Sequence, residues 1–253
     1  MDSRDVQFLH LGILGRFLLD ERSNVENYVA LLHQEIMLLD ELHVMFKKSI
    51  FKSSRLREKE SIHFILSEIS RTYLVRSCAN LTRSHVTEAL NAARISIEAT
   101  AYAYAMASGF LTEEEYFKNP NKRNNLFKKI RTAERSGQFI DSNMASLMEF
   151  RSFLSARGSH ADPSILVDRF TSGDDGSIGI PFFQNPSDES LRYDFLGVIW
   201  SGCLCLKCYL IISRNIFGDI VDKELEEMEI FKKKTEKYHR ENISYPLPSD
   251  IPA

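Results

Sequence analysis

Residues 84–108 read SHVTEALNAARISIEATAYAYAMAS, and this stretch decides the fold class. Its last twenty residues contain only two charges, Arg94 and Glu98, and are rich in alanine. Gly109 follows at the position where helices commonly end. A helix that is small and apolar nearly all round lies at the centre of a bundle, where its neighbours approach closely. We therefore predict an all-α, multi-helix bundle around a central alanine-rich helix.

The region before this helix lacks the strongest breakers of regular structure. Residues 16–108, 93 positions in all, contain neither Gly nor Pro. Strands would need frequent turns, and turns depend on those residues. Residues 1–80 are therefore predicted to form long helices, the first of them running from an Asn24 cap to about Phe51.

Shorter helices are predicted after the central one. Thr112 and Glu115 have the spacing of a capping box, which indicates a short helix. Asp141 is placed to cap a further helix over residues 142–157, which Gly158 should end.

The character of the chain changes at about residues 165–183. Residues 165–170 and 178–183 read as short strands on either side of the segment TSGDDGS. This pattern predicts a small β-hairpin, inserted into the helical protein at residues 163–185.

One segment is apolar enough to be considered for a membrane. Residues 195–213 carry a single charge, Lys207. We favour a buried core helix over a membrane span because Gly197, Ser201 and Gly202 dilute the apolar run and no flanking belts are evident. No membrane contact is expected.

The predicted elements form one helical domain over residues 1–253. Residues 84–217 are the bundle core, into which the hairpin is inserted. Residues 219–241 are predicted to form a charged amphipathic C-terminal helix, and residues 244–253 an extended tail.

Three of the four cysteines crowd into one helix at Cys203, Cys205 and Cys208. At 100° per residue, Cys203 faces away from the other two, so the three cannot share a tetrahedral metal. We expect reduced, buried thiols in a cytoplasmic protein, with no metal and no cofactor.

Arg151 is the most unusual charge in the chain. Helical projection puts it inside the apolar stripe of its own helix, which consists of Met144, Leu147, Met148 and Leu154. A guanidinium is almost never buried without a partner, so an acidic group should face it. We predict a partly buried network of Arg94, Glu98 and Arg151. Two alternatives remain open: the network only sets helix packing, or Arg94 and Glu98 belong to a narrow solvated face with Asn91 and Tyr102.

His160 and Asp162 lie just after that helix, close in sequence to Arg157 at its end. Binding residues often lie on such irregular backbone. Histidine titrates near neutrality, so His160 is a candidate general acid or base beside the Arg157 cation. In the alternative, Asp162 and Pro163 open a turn and His160 caps the helix carbonyls.

Net charge gives no general attraction to nucleic acid, because 32 basic residues stand against 35 acidic ones. Residues 118–135 are locally basic, with one acidic residue, and the aromatic residues Tyr116, Phe117 and Phe127 lie beside or within the segment. The segment is a candidate for holding a phosphate backbone, or else an ordinary solvated helix face. The candidate nucleic-acid-binding residues are Lys122, Arg123, Lys128, Lys129, Arg131 and Arg135.

The helical bundle, the charged pair on an inner helix, and an arginine and a histidine around a helix end resemble the HEPN-type domains. The resemblance covers residues 84–217 without the hairpin. It implies an all-α module of bacterial or archaeal conflict systems, many members of which are metal-independent ribonucleases. Those members dimerise so that an Arg-x(4–6)-His motif from each protomer lines a shared cleft. Here Arg157 and Arg151 lie three and nine positions before His160, which departs from that spacing.

The resemblance implies a catalytic set of His160, Arg157, Arg151, Glu98 and Arg94. His160 would take the proton from a ribose 2′-hydroxyl or protonate the leaving oxygen, and Arg157 or Arg151 would stabilise the charge of the transition state. The basic segment would hold RNA, and a homodimer or another protein partner is expected. Two other functions stay open: a non-catalytic interaction or scaffold protein, and a small-ligand or nucleotide pocket at Glu98, Arg151 and His160.

Overall fold

The computed structural model describes residues 12–50, 61–135, 142–158, 171–172, 178–179, 187–218 and 220–247. Within these ranges the chain forms nine helices and one pair of two-residue strands, so the predicted all-α bundle is confirmed. The helices are α1 (Gly12–Leu31), α2 (His33–Ile50), α3 (Ser61–Leu81), α4 (Val86–Ala107), α5 (Glu113–Lys118), α6 (Pro120–Arg135), α7 (Ser142–Gly158), α8 (Asp188–Phe217) and α9 (Asp222–Asn242).

The prediction of one helix from an Asn24 cap to about Phe51 is wrong in two respects: the helix starts earlier than Asn24, and the segment forms two helices instead of one. α1 already begins at Gly12 and passes through Asn24, because a helix interior tolerates asparagine at modest cost. A turn at Leu32 then separates α1 from α2. At this break, Arg192 Nη2 donates to the carbonyl oxygen of Leu31 from 2.9 Å. A side chain from α8 therefore satisfies a helix-end carbonyl that has lost its usual partner.

α4 is the central helix that the alanine-rich segment predicts. It packs against α3, α7 and α8, and most extensively against α3. Close approach is possible because the contact side chains are small, and the helix ends before Gly109, whose φ of 75° suits glycine. The fully buried alanines of α4 are Ala89, Ala93, Ala101, Ala103 and Ala105.

Buried hydroxyl groups join α3 to α4. Ser70 Oγ is hydrogen-bonded to Ser96 Oγ at 2.8 Å and to Thr100 Oγ1 at 3.0 Å. Seven residues, or two turns, further along α3, Ser77 Oγ donates to the carbonyl oxygen of Ala89. Because buried hydroxyls are costly unless paired, these bonds fix the register of the two helices.

α8 is the one helix in the described part of the chain that is long and apolar enough to cross a membrane. In this fold 78% of the most apolar stretch of α8 is buried. The helix contacts α2, α3, α4, α7 and α9. Ser187 caps its first turn by accepting from the amide of Ser190, and Gly218 ends it in the left-handed region. α8 is thus a core helix of the bundle, as the sequence predicts.

α9 starts three residues later than the predicted Asp219 and lies on α8 and α2. Its inward face consists of Met228, Phe231, Thr235 and His239. The chain then leaves the helix in extended conformation at Ile243, and Leu247 is buried. The rest of the predicted tail lies outside the described residues.

The predicted hairpin is not supported as drawn. The paired residues are Thr171–Ser172 and Ile178–Gly179, which run antiparallel with Thr171 opposite Gly179. Sequence reasoning placed Thr171 and Ser172 in the turn, whereas the structure pairs both of them as strand residues. The other residues of 163–185 lie outside the described part of the chain.

All four cysteines are buried free thiols, as predicted. Burial raises the pKa of Cys203 to about 12 and raises the pKa values of Cys78 and Cys205 as well. Since the thiolate is the reactive form, these cysteines are chemically protected in the folded chain.

We expect a thiol-specific disulfide reagent at pH 8 to label none of the cysteines in the folded protein within minutes. In guanidinium chloride, all four should react, because unfolding restores both access and an ordinary thiol pKa. The absorbance of the released thiolate measures both results. Rapid stoichiometric labelling of the folded protein would contradict the buried position of these side chains.

Candidate functional site

The predicted network of Arg94, Glu98 and Arg151 is confirmed. Arg94 Nε donates to Glu98 Oε1 from 3.0 Å, within α4. Arg151 Nε donates to the same oxygen from 2.8 Å, across from α7. One carboxylate oxygen therefore receives two guanidinium groups from neighbouring helices. We call these three residues the Arg–Glu–Arg site.

Arg151 occupies the inner face of α7, as its position in the helical period predicts. The apolar residues of that face are all buried: Met144, Leu147, Met148 and Leu154. The guanidinium carbon of Arg151 lies 4.2 Å from the centre of the Phe127 ring, and this ring is itself buried. Arg151 is thus held by a carboxylate through its Nε and by an aromatic face from α6.

The Arg–Glu–Arg site lies at the border between core and solvent. The side chains of Arg94, Glu98 and Arg151 are 30%, 22% and 17% exposed. This excludes a fully solvated face, because the charges are largely withdrawn from water. It also leaves the site open to a ligand. Two cations and one anion give the site a net charge of +1, which favours an anionic group.

Aromatic rings continue from Phe127 along the surface. Tyr102 packs on Phe127 and on Tyr116, with ring centres 5.2 and 5.3 Å apart. Tyr116 meets Phe117 edge to face at 5.2 Å, and Phe117 is 63% exposed. α5, which carries the last two rings, begins with the predicted capping box of Thr112 and Glu115.

The basic segment forms α6, next to the Arg–Glu–Arg site. Its inner face is apolar and buried, with Leu126, Phe127 and Ile130. Lys128 and Lys129 are exposed on the opposite face. The side chains of the other predicted binding residues lie outside the described residues: Lys122, Arg123, Arg131 and Arg135. Phe127 thus connects the site to a helix that presents positive charge to solvent.

His160 lies outside the described residues, and so does the side chain of Arg157 at the end of α7. The structure therefore brings together Arg94, Glu98 and Arg151, and the approach of His160 to them stays a prediction.

Sequence reasoning missed a second charged cluster, which links α2, α8 and α9. Glu35 is fully buried, and its Oε1 accepts from Arg192 Nη1 at 3.0 Å and from Tyr238 Oη at 2.8 Å. Burial and the hydrogen bond to Glu35 raise the pKa of Tyr238 to about 12, so this phenol remains a donor. Glu35 follows Leu32 and precedes Leu42 at helical spacing, and this position within an apolar stripe was the available signal.

A third cluster lies on α2 and α3. Arg71 donates to both carboxylate oxygens of Glu68. Arg71 Nη1 lies 3.1 Å and 3.4 Å from the two ring nitrogens of His43. A neutral imidazole has one accepting nitrogen, so at most one of these two contacts is a hydrogen bond from Arg71. Burial, and then the nearby Arg71 cation, lower the pKa of His43.

No group of three or more His, Cys, Asp and Glu side chains suited to a metal ion occurs among the described residues. Comparison with protein-family models, with curated proteins and with solved structures gave no match. The functional argument therefore depends on the chemistry of the Arg–Glu–Arg site and its surroundings.

Proposed function

We propose that this protein binds RNA at the Arg–Glu–Arg site and along α6, and that His160 cleaves the bound strand without a metal ion. This makes it a ribonuclease of the HEPN type, with a role in a bacterial conflict or defence system. The observation that carries the proposal is the convergence of Arg94 and Arg151 on one carboxylate oxygen beside a basic helix.

Charge and exposure support a phosphate ligand. The two guanidinium groups are partly desolvated, which strengthens their attraction for an anion relative to fully exposed arginines. Lys128 and Lys129 are exposed on the opposite face of α6, where they add positive charge that attracts an anionic strand to this part of the protein. Tyr116 and Phe117 add ring surface of the kind on which bases stack.

Cleavage requires a group that moves protons and a cation that stabilises the transition state. In the proposed reaction His160 removes the proton from the ribose 2′-hydroxyl, and the 2′-oxygen attacks the adjacent phosphorus. The bond from phosphorus to the 5′-oxygen breaks, and the leaving 5′-oxygen takes a proton from a water molecule. The products are a 2′,3′-cyclic phosphate and a 5′-hydroxyl end, and His160 later returns its proton to solvent. Arg151 or Arg157 stabilises the extra negative charge on the phosphate oxygens.

Replacing both arginines, as Arg94→Ala with Arg151→Ala, should weaken binding of labelled single-stranded RNA at least about tenfold at 0.1 M salt. The slope of log affinity against log salt should fall by about 0.7 if the two arginines share one phosphate, and by about 1.4 if each binds its own. Fluorescence anisotropy over a salt series measures both. The matched control is Arg22→Ala with Arg71→Ala, which removes the same charge from ion pairs elsewhere and should leave the slope unchanged.

His160→Ala tests the catalytic step separately. In EDTA it should keep RNA affinity and its melting temperature but lose cleavage, which gel electrophoresis of end-labelled RNA measures. A wild-type protein that binds RNA without cleaving it would reject the catalytic step and leave the binding proposal standing. A wild-type protein that does not bind RNA at any salt concentration would reject both.

A second candidate, a non-catalytic protein that binds a partner or a second copy of itself, is favoured by exposed aromatic residues. Phe110 and Phe117 are 53% and 63% exposed near the end of α4 and on α5. α5 also begins with three glutamates and precedes a basic helix in the chain. Such mixed charge around apolar anchors fits a protein interface. Light scattering after size exclusion distinguishes monomer from dimer.

A further inference from the structure

We infer that Glu98 and Phe127 are positioning residues, which align Arg94 and Arg151 so that both guanidinium groups bind a single phosphate of the RNA. This role rests on the proposed RNA binding. It separates the two arginines that touch the ligand from the two residues that act through them.

The hydrogen bonds explain how Glu98 positions the two arginines while their Nη groups stay available for a ligand. A guanidinium has five N–H groups, of which Nε carries one. Both arginines give Nε to Glu98, and among the described residues no hydrogen bond uses an Nη atom of either side chain. The Nη1–Nη2 edge fits two phosphate oxygens at once. Glu98 therefore fixes both side chains and leaves two phosphate-binding edges.

Phe127 restricts the remaining freedom of Arg151. A guanidinium held by one hydrogen bond at Nε can still take several orientations around that hydrogen bond. Ligand binding selects one of them, and the lost freedom costs conformational entropy. The buried Phe127 ring lies 4.2 Å from the guanidinium carbon and favours one orientation of the plane. Phe127 belongs to α6, so the same helix that carries Lys128 and Lys129 also orients Arg151.

The ligand chemistry follows from the size and charge of the site. Two guanidinium edges from adjacent helices suit the two non-bridging oxygens of one phosphodiester. The net charge of +1 matches the single negative charge of that group. Inorganic phosphate and nucleoside monophosphates present similar oxygens, so they should compete with RNA for the site, but more weakly because they lack the contacts along α6.

Three substitutions at Glu98 separate geometry from charge. Glu98→Asp keeps the charge but shortens the reach, and it should weaken binding of single-stranded RNA about tenfold. Glu98→Gln keeps an oxygen that accepts from both Nε atoms while removing a negative charge, so it should bind RNA as tightly as wild type or up to about tenfold tighter. Glu98→Ala removes the same charge without leaving an acceptor, and it should bind about tenfold more weakly than Glu98→Gln.

The positioning role would be overturned if affinity followed charge alone. In that case wild type and Glu98→Asp would bind RNA equally, and so would Glu98→Gln and Glu98→Ala. Unchanged affinity in all three variants would overturn it too. Phe127→Leu should weaken binding severalfold, and the control Phe110→Leu should not. Circular dichroism and melting temperatures confirm that each variant is folded.

Failure of the broader proposal gives a different result. If wild-type protein binds neither RNA nor inorganic phosphate in isothermal titration, RNA binding and the positioning role are both wrong. If wild type binds RNA normally while the Glu98 variants follow charge alone, RNA binding stands and only the positioning role is wrong.

Discussion

Glu35→Ala is expected to lower the free energy of unfolding by about 3 kcal/mol. The substitution leaves Arg192 and the Tyr238 hydroxyl without their shared acceptor, and breaking a buried ion pair from one side costs about 3–5 kcal/mol. The lower end applies because the Arg192 side chain is 26% exposed and can recruit water. Urea unfolding followed by circular dichroism measures the loss.

A matched control lies on α2 and α9, two of the three helices that the Glu35 cluster joins. Glu41 on α2 pairs with Lys234 on α9, but both side chains are about half exposed. Glu41→Ala should therefore change the unfolding free energy by no more than about 0.5 kcal/mol. Similar losses for Glu35→Ala and Glu41→Ala would mean that burial adds nothing to the Glu35 cluster.

The cost of Glu35→Ala should come from the unpaired partners and not from lost attraction alone. Replacing the cluster as a whole, with Glu35→Met, Arg192→Leu and Tyr238→Phe, should recover most of the stability, because apolar groups of similar volume often substitute well for a buried ion pair. The triple variant will lack the bond from Arg192 to the Leu31 carbonyl, so we expect α1 to fray at its C-terminal end. Faster amide hydrogen exchange near Leu31 would report this.

The Arg–Glu–Arg site was predictable and the Glu35 cluster was not, for a physical reason. Arg151 interrupts an otherwise apolar stripe, so the helical period of α7 shows that it needs an acidic partner. Glu98 is the one carboxylate in the last twenty residues of the alanine-rich segment 84–108, so composition identifies that partner. Glu35 also interrupts a stripe, but its partners lie 157 and 203 residues further along the chain. Helical periodicity shows that a buried charge needs a partner, and only tertiary packing shows which one.

Some helix boundaries were predictable from local sequence, and others depend on tertiary packing. The ends at Gly109 and Gly218 were predictable because each is a glycine with positive φ, a preference local to the sequence. The break at Leu32 has no such signal, since the group that donates to the neighbouring Leu31 carbonyl is Arg192 from α8. Thr171 and Ser172 were assigned to the turn and not to a strand, because alternation of apolar residues in a short segment does not set register.

Gly202→Leu should lower the free energy of unfolding by about 3 kcal/mol, through overpacking where α8 crosses α2 and α3. A Cβ atom at this position would lie 2.6 Å from Leu42 Cδ2 and 3.3 Å from Leu74 Cδ1. Both leucines are buried in the core, so a further three carbons have no space without moving a helix. Chemical denaturation again measures the change.

Gly197, five residues earlier on α8, provides the control, because a Cβ there meets no atom within 4 Å. Gly197→Ala should raise stability by about 0.5–1 kcal/mol, since alanine loses less backbone entropy than glycine on entering a helix. Gly202→Ala gains the same helix preference, but the contact with Leu42 opposes it, so its stability should fall at least about 1 kcal/mol below that of Gly197→Ala. Equal gains at the two positions would show that α8 is less closely packed at Gly202 than these distances require.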